Sequence, residues 1–368
     1  MEPVCCTADV SENKATIIVG HQLQTLIPSE VGKITGLKPE QVEVHTTFVG
    51  GGFGRKHGMD FVLQAAFISK ESGVPVNLIW SREDDMTHDS YRPAAIINME
   101  AGLDRQGNPI AMRFESTSPS ISAIYFPPLI VDGIDPWSVE GIDNYPYDTP
   151  NLMFTYKDHP TPLAPGYFRS VSNNLNVMAM ECFIDECALK AKKDPLEYRL
   201  KMLEMESKKY PLSVYTAGAG IATGARMKRA LMMLKERSNW GEDVPDGHGR
   251  GMSLMEAYNT VVAAIVEVTV SASFDVLVNK VVIIADAGVI VRPDQALAQI
   301  EGSIAMGLSA ALWGEVTVEG GEIQQTNFDT YRVARINEVP KLNEIHFAEN
   351  DGTYVGGLGE PVTAAVQP

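Results

Sequence analysis

Residues 263–288, AAIVEVTVSASFDVLVNKVVIIADAG, constrain the fold of this chain more than any other stretch. Two runs dense in Val, Ile and Ala flank a polar step, and β-branched residues at that density suit a packed, pleated surface. The stretch predicts a strand pair. RPDQALAQIEGSIAMGLSAALWG then predicts a long apolar helix with Pro293 at its first position. EVTVEGGEIQQTNF predicts a hairpin turning at Gly320-Gly321.

Elsewhere the two element types mix in the same way. Strands are predicted over residues 14–19, 42–49, 75–80, 95–102 and 109–117. MDFVLQAAFISKESG has apolar residues at helical spacing and ends at Gly73, a suitable C-terminal glycine. A helix is predicted from Asn173 to Ala191 with Ser172 as N-cap, and another in DPLEYRLKML, with Asp194 as N-cap and Pro195 at the first helical position. Cys182 and Cys187 on the first of these are read as packing residues. Residues 118–166, rich in Pro, Asp and Tyr, read as long ordered loops. Without strict βαβ alternation the fold class is α+β. A breaker-rich boundary near residues 205–245 divides the chain into 1–205 and 206–368.

Charge and cysteine usage exclude several functions. With 47 acidic and 30 basic residues the net charge is -17, which argues against general nucleic-acid or anionic-membrane binding. No apolar run approaches the ~20 residues of a membrane-spanning helix. The four cysteines, Cys5, Cys6, Cys182 and Cys187, have neither zinc nor iron–sulfur spacing. The start, MEPVCCTADV, lacks the pattern of a signal peptide, and the sequence carries no readable cellular address.

Four stretches can carry chemistry. FVGGGFGRKHG, residues 48–58, lies between a predicted strand and a predicted helix. It lacks the Gly-Lys-Ser/Thr ending of a phosphate-binding P-loop, and Arg55 stands where a dinucleotide fingerprint needs its third glycine. Gly51, Gly52 and Gly54 would still let backbone approach a ligand closely, with Phe53 an odd choice for a plain turn. The alternatives are an anion cradle, including a nucleotide module, and a tight connection with surface charges. LAPGYFRSVSNN delivers Arg169 close to a helix start, either to a ligand or to one of the many carboxylates. In GGLGEPVTA, Glu360 sits among small apolar residues, where poor solvation should raise its pKa and suit it to general-base work. A cap for the next helix is the alternative. Gln22, in VGHQLQT, follows a strand and can offer an amide to a ligand.

The combination is more specific than its parts. GGGFGRK, WSREDDMTHDSYRP, APGYFRS, ECFIDE with DPLEYRLKML, DAG with RP and QIEG, and GLGEP occur in this order. Together they resemble the molybdenum-cofactor-binding large subunits of the xanthine dehydrogenase/aldehyde oxidase family, in the branch of isoquinoline 1-oxidoreductase beta subunits. The resemblance implies two molybdopterin-binding subdomains, of which the first is N-terminally incomplete. It implies oxidation of an aldehyde or an N-heteroaromatic C–H, with oxygen derived from water. The cofactor would be molybdopterin, in its cytosine dinucleotide form, with molybdenum held by the pterin dithiolene and by no protein ligand. Electrons would leave to [2Fe–2S] clusters on a small-subunit partner, and the missing N-terminal half of the large subunit would be a second partner. Glu360 matches the family's base, Gln22 a glutamine bonded to a molybdenum ligand, and Arg169 an arginine near the substrate. Gly51, Gly52, Phe53, Gly54, Arg55, Ala263 and Gly359 match cofactor-binding positions. His57 stands where purine oxidisers carry a second glutamate, and Val171 where they carry a stacking aromatic. MEAYNTVVAA and Arg292 depart from the family pattern. A cofactor-free chain that keeps the fold and only binds a partner is the alternative.

Overall fold

The computed structural model describes residues 2–203, 224–340, 342–350 and 352–368. By compactness the chain forms two units that interleave in sequence. One comprises residues 1–92, 161–169 and 315–331, and the other residues 93–160, 170–314 and 332–368.

The first unit is built on a four-stranded sheet. Its strands are β1 (Cys5–Val10), β2 (Ala15–Val19), β3 (Val42–Thr46) and β4 (Val76–Ile79), ordered β3-β2-β1-β4. Strand β1 runs antiparallel to β2 and β4, whereas β2 and β3 are parallel. Alternation in CCTADV puts Cys6 and Ala8 into the core. Two helices, α1 (Ile27–Thr35) and α2 (Asp60–Ser72), supply Ile27, Val31, Phe61, Val62, Ala65 and Ala66 to the same core. The left-handed Gly73 ends α2 as its sequence requires. A two-stranded hairpin at residues 318–323 turns at Gly320 and Gly321, both at positive φ.

The second unit holds two sheets. Strands β5 (Ile96–Leu103), β6 (Pro109–Ser118) and β7 (Asn151–Asp158) form one, with β6 and β7 parallel. Strand β7 lies inside the stretch expected to be loop. It is largely solvent-facing, so no apolar alternation marks it. The other sheet is ordered β11-β10-β9-β8, from β8 (His248–Ala257), β9 (Thr260–Val270), β10 (Val276–Asp286) and β11 (Leu342–Phe347). The strand pair expected from residues 263–288 is β9 and β10. Strand β8 escaped sequence reading because its second half is buried without alternation.

Helices cover this sheet. They are α3 (Asn173–Ala191), α4 (Pro195–Met202), α5 (Gly224–Arg237) and α6 (Pro293–Leu312). The Asp194 carboxylate accepts the Leu196 and Glu197 N–H groups, each at 2.9 Å, as expected of an N-cap. Ser172 precedes α3, but its side chain makes no capping bond. Cys187 is buried as expected, whereas Cys182 is exposed, since residues five apart face different sides of a helix. The expected boundary near 205–245 falls in part on residues 204–223, outside the described residues, and in part on α5. No helix among the described residues is long and apolar enough to cross a membrane.

The motifs ECFIDE and EYRL meet inside this unit. Glu181 and Arg199 are both fully buried, and Arg199 Nε donates to Glu181 Oε2 at 3.0 Å. That carboxylate also accepts the Tyr147 hydroxyl at 2.8 Å and the Leu254 N–H at 2.8 Å. These residues tie α3 and α4 to β8, and their work is structural.

Candidate active site

The glycine loop is set by its contacts with the segment after β2. His21 Nε2 donates to the Gly58 carbonyl at 2.9 Å, and its Nδ1 accepts the Leu23 N–H at 2.9 Å, which fixes the tautomer. The Gln22 N–H donates to the Lys56 carbonyl at 2.9 Å, and Gln22 Oε1 accepts the Gly54 N–H at 3.1 Å. With Oε1 engaged by the loop, the exposed Gln22 carboxamide has NH₂ donors without an acceptor among the described residues.

The glycines leave little room for a side chain. A Cβ on Gly52 would lie 2.5 Å from Gln22 Oε1, and one on Gly54 would fall onto the Tyr167 carbonyl. Gly51 and Gly54 have φ of 99° and 103°, in the region that favours glycine. Phe53 itself is left-handed, at φ 50°, and its ring remains 39% exposed. That conformation costs a non-glycine residue on the order of 1 kcal/mol, a form of strain that clusters at functional sites.

The basic residues of this loop are spent on carboxylates. Arg55 holds Asp60 through two bonds, at 3.0 and 2.8 Å, pairs with Asp89, and has its guanidinium 5.6 Å from the Trp80 ring. Burial pushes Asp89 up to about 6 against the pull of Arg55. Lys56 is buried and pairs with Glu2. The anion-cradle alternative loses its two cations to these pairs. His57 packs edge-on to Tyr167 at 5.0 Å, and burial lowers its pKa, so the ring is neutral at pH 7.

Arg169 is buried, with its guanidinium 5.8 Å from the Phe53 ring centroid. The next two residues, Ser170 and Val171, are both left-handed, at φ 79° and 47°. The structure thus brings Gln22, Gly51, Gly52, Phe53, Gly54 and Arg169 together in one unit.

Glu360 and Gly359 belong to the other unit. The Gly356 N–H donates to the Ala287 carbonyl at 2.8 Å and the Gly357 N–H to the Tyr258 carbonyl at 2.9 Å. Ser303 Oγ donates to the Gly359 carbonyl at 3.0 Å. Glu360 is half-buried at the N-cap position of a short helix, Pro361–Ala365, and its side chain makes no capping bond there. The capping alternative fails on that geometry.

Ala263 lies elsewhere. It is fully buried inside β9, paired to Leu254 on one side and Ile284 on the other, and packs into the core. A residue flanked by ladders on both sides has no surface to offer a cofactor. The departure at MEAYNTVVAA has a local cause: Tyr258 and Asn259 are both left-handed, at φ 53° and 64°, and form the two-residue β8–β9 turn. Arg292, at the start of α6, is exposed and pairs with Asp294 at 3.1 Å.

Sequence reading missed the carboxyls around this turn. Glu140 is 2% exposed and Asp143 is mostly buried. Burial is the main cause that raises Glu140 well above the usual carboxyl range and pushes Asp143 up to about 7. Glu256, also raised by burial, accepts the Asn144 amide at 2.9 Å and the Asn259 N–H at 3.0 Å. For Glu140 and Asp143, only their position in a loop without periodicity was available in the sequence.

Comparison with known proteins places this architecture in a family. A family model described as "Molybdopterin cofactor-binding domain" matches residues 1–203, and a second of the same description matches residues 169–340. The chain belongs to the molybdopterin-binding xanthine dehydrogenase family. It is 31% identical over 388 aligned positions to "Membrane-bound aldehyde dehydrogenase [pyrroloquinoline-quinone]" of Gluconacetobacter polyoxogenes, covering 100% of this chain and 49% of that protein. It is 29% identical to "Isoquinoline 1-oxidoreductase subunit beta" of Brevundimonas diminuta, covering 94% of this chain and 43% of that one. The chain thus spans about half the length of these curated relatives. Among solved structures, quinoline 2-oxidoreductase from Pseudomonas putida 86 shares the fold with a TM-score of 0.81 at 14% identity, over 100% of this chain and 70% of that one. The aldehyde oxidoreductase of Desulfovibrio gigas does so with a TM-score of 0.77 at 14% identity, over 99% and 56%. The α+β class expected from the sequence is the fold these neighbours have.

Proposed function

We propose that this chain is the portion of a molybdenum hydroxylase large subunit that oxidises an aldehyde or an N-heteroaromatic C–H. Residues 1–205 and 206–368 would be its two cofactor-binding subdomains. The observation that carries this reading is the clamp of Gln22 on Gly54. It holds bare glycine backbone and the exposed Phe53 ring in place while leaving the carboxamide donors unspent.

These residues fit the cofactor the family binds. A loop where a Cβ has no room and an NH₂ group without a fixed acceptor suit a bulky, electron-rich ligand approached through backbone and amide. Gln22, Gly51, Gly52, Phe53 and Gly54 would hold the molybdenum pterin, in its cytosine dinucleotide form. When bound, that group supplies the redox chemistry, accepting the electrons lost by the substrate carbon and passing them to a [2Fe–2S] partner subunit.

The chain's own residues handle positioning and protons. Gln22 donates from a preorganised carboxamide, which costs no reorientation during reaction. Arg169 offers a buried, fixed positive charge that orients a substrate carbonyl or ring nitrogen. Glu360 takes the proton released as the new C–O bond forms, acting as general base. His57, neutral and packed on Tyr167, cannot supply the acidic contact a purine would need.

The test is turnover of the assembled enzyme with an aldehyde or N-heterocycle and a dye acceptor, alongside metal analysis. Glu360→Gln should lower kcat by at least ~10²-fold with molybdenum content unchanged. Full turnover in that variant would remove Glu360 as the base. A freshly purified enzyme without stoichiometric molybdenum would overturn the reading in favour of a chain that only binds partners.

A further inference from the structure

Glu140 is a buried carboxyl that the reaction as described does not use. Its Oε2 accepts the Asn173 amide at 3.2 Å and the Tyr258 hydroxyl at 3.4 Å, and its Oε1 has no hydrogen-bond partner among the described residues. No ion pair among the described residues reaches it. Among the charges that act on it are Asp143, Glu360 and Asp135, all of its own sign, and its hydrogen-bonding neighbours among the described residues, Asn173 and Tyr258, bring no cation. A carboxylate taken out of water without a cation is so costly that the group keeps its proton.

Tyr258 links this group to the base. Its hydroxyl donates to Glu140, and its main-chain carbonyl accepts the Gly357 N–H at 2.9 Å, three residues before Glu360. Tyr258 itself sits in the left-handed β8–β9 turn, at φ 53°. The approach is close: a Cβ on Gly357 would lie 3.2 Å from the Tyr258 Cβ.

We propose that Glu140 and Tyr258 are positioning residues for the Glu360 base. Tyr258 anchors the loop that carries Glu360 through its carbonyl and ties that anchor, through its phenol, to a carboxyl held in its neutral form. A negative charge on Glu360 disfavours a second one on the buried Glu140, so ionisation of Glu140 is opposed while the base is charged. Of the two, Glu140 is buried and Glu360 only half-buried, so desolvation opposes a charge on Glu140 more strongly. Raising the pH far enough to ionise Glu140 places a second, buried charge behind the base and loosens the Tyr258 anchor. This inference rests on the assignment of Glu360 as base.

Infrared difference spectra of the assembled enzyme at neutral pH test the protonation directly, independent of turnover. The carbonyl stretch of a protonated carboxylic acid should be present in the wild type and weaker by one group in Glu140→Gln. In pH profiles of kcat, Glu140→Gln should keep the acid limb and lose the alkaline limb. Tyr258→Phe should lower kcat about 10-fold with KM nearly unchanged, the loss expected when a positioned proton acceptor is misplaced. An unchanged acid band, or alkaline limbs identical in wild type and Glu140→Gln, overturns the proposal. If Glu140→Gln does not fold, the kcat of Tyr258→Phe decides, and a wild-type value overturns it. Failure of the base assignment looks different: Glu360→Gln would turn over normally while the Glu140 band stayed in place.

Discussion

Gln22 Oε1 sits 3.1 Å from the Gly54 nitrogen and 2.5 Å from where a Cβ on Gly52 would stand. One side chain therefore reads two positions of the glycine loop, and the two glycines should respond differently to substitution. In Gly52→Ala the collision is with the end of an exposed, flexible glutamine, which can swing away. Unfolding free energy should fall by only about 1 kcal/mol, the worth of one hydrogen bond. Molybdenum content should fall much more. In Gly54→Ala the collision is with the Tyr167 backbone at a φ of 103°, and chemical denaturation should show a loss of at least ~2 kcal/mol.

Arg55 separates a structural from a cofactor role. Arg55→Lys keeps the charge but loses the two-bond contact with Asp60 and the stacking beside Trp80. Stability should drop by about 1–3 kcal/mol, with molybdenum per folded molecule unchanged. A fall in metal per folded molecule would make Arg55 a cofactor ligand.

The Glu181–Arg199 pair should be costly to halve and cheap to replace whole. Arg199→Met strands a fully buried carboxylate, and the expected loss is about 3–5 kcal/mol by urea denaturation. Adding Glu181→Gln should recover a good part of that. A double variant no more stable than Arg199→Met would show that the charge is not the source of the penalty.

Acidic groups with raised pKa make the fold less stable as pH rises. Asp143 is pushed from 3.8 up to about 7, so between those values the folded chain holds a proton that the unfolded chain has released. Its stabilising contribution is complete below about pH 4 and is lost by about pH 7, at up to about 1.4 kcal/mol per pH unit. Glu140, shifted in the same direction, adds to that decline. Denaturation midpoints from pH 5 to 8 should fall, and Asp143→Asn should flatten the lower part of the slope.

How much of this was legible beforehand follows the physics of each element. β9, β10 and α6 announce themselves because long apolar runs have few alternatives. Strand β7 was hidden because an exposed strand needs no alternation, and β8 because a strand buried on both faces has none. Gln22, Phe53 and Arg169 could be picked out by their neighbours in sequence, and the structure groups them. Ala263 lies in a core ladder of β9, a burial that the sequence around it does not mark. Glu140 and Asp143 carry no sequence mark, since burial is a property of the folded chain.

The interleaving of the two units bears on the order in which this protein can be made. The first unit draws its last segment from residues 315–331, where Phe328 lies under the Arg82 guanidinium at 5.1 Å and the Asn327 amide donates to Glu83 at 3.0 Å. Arg169, its buried cation, arrives with the middle segment. A ribosome must therefore deliver most of the chain before the unit that begins first can be finished, and no single cut releases either unit intact. Long-range closure of this kind is slow and leaves apolar surface waiting while the rest of the chain is made.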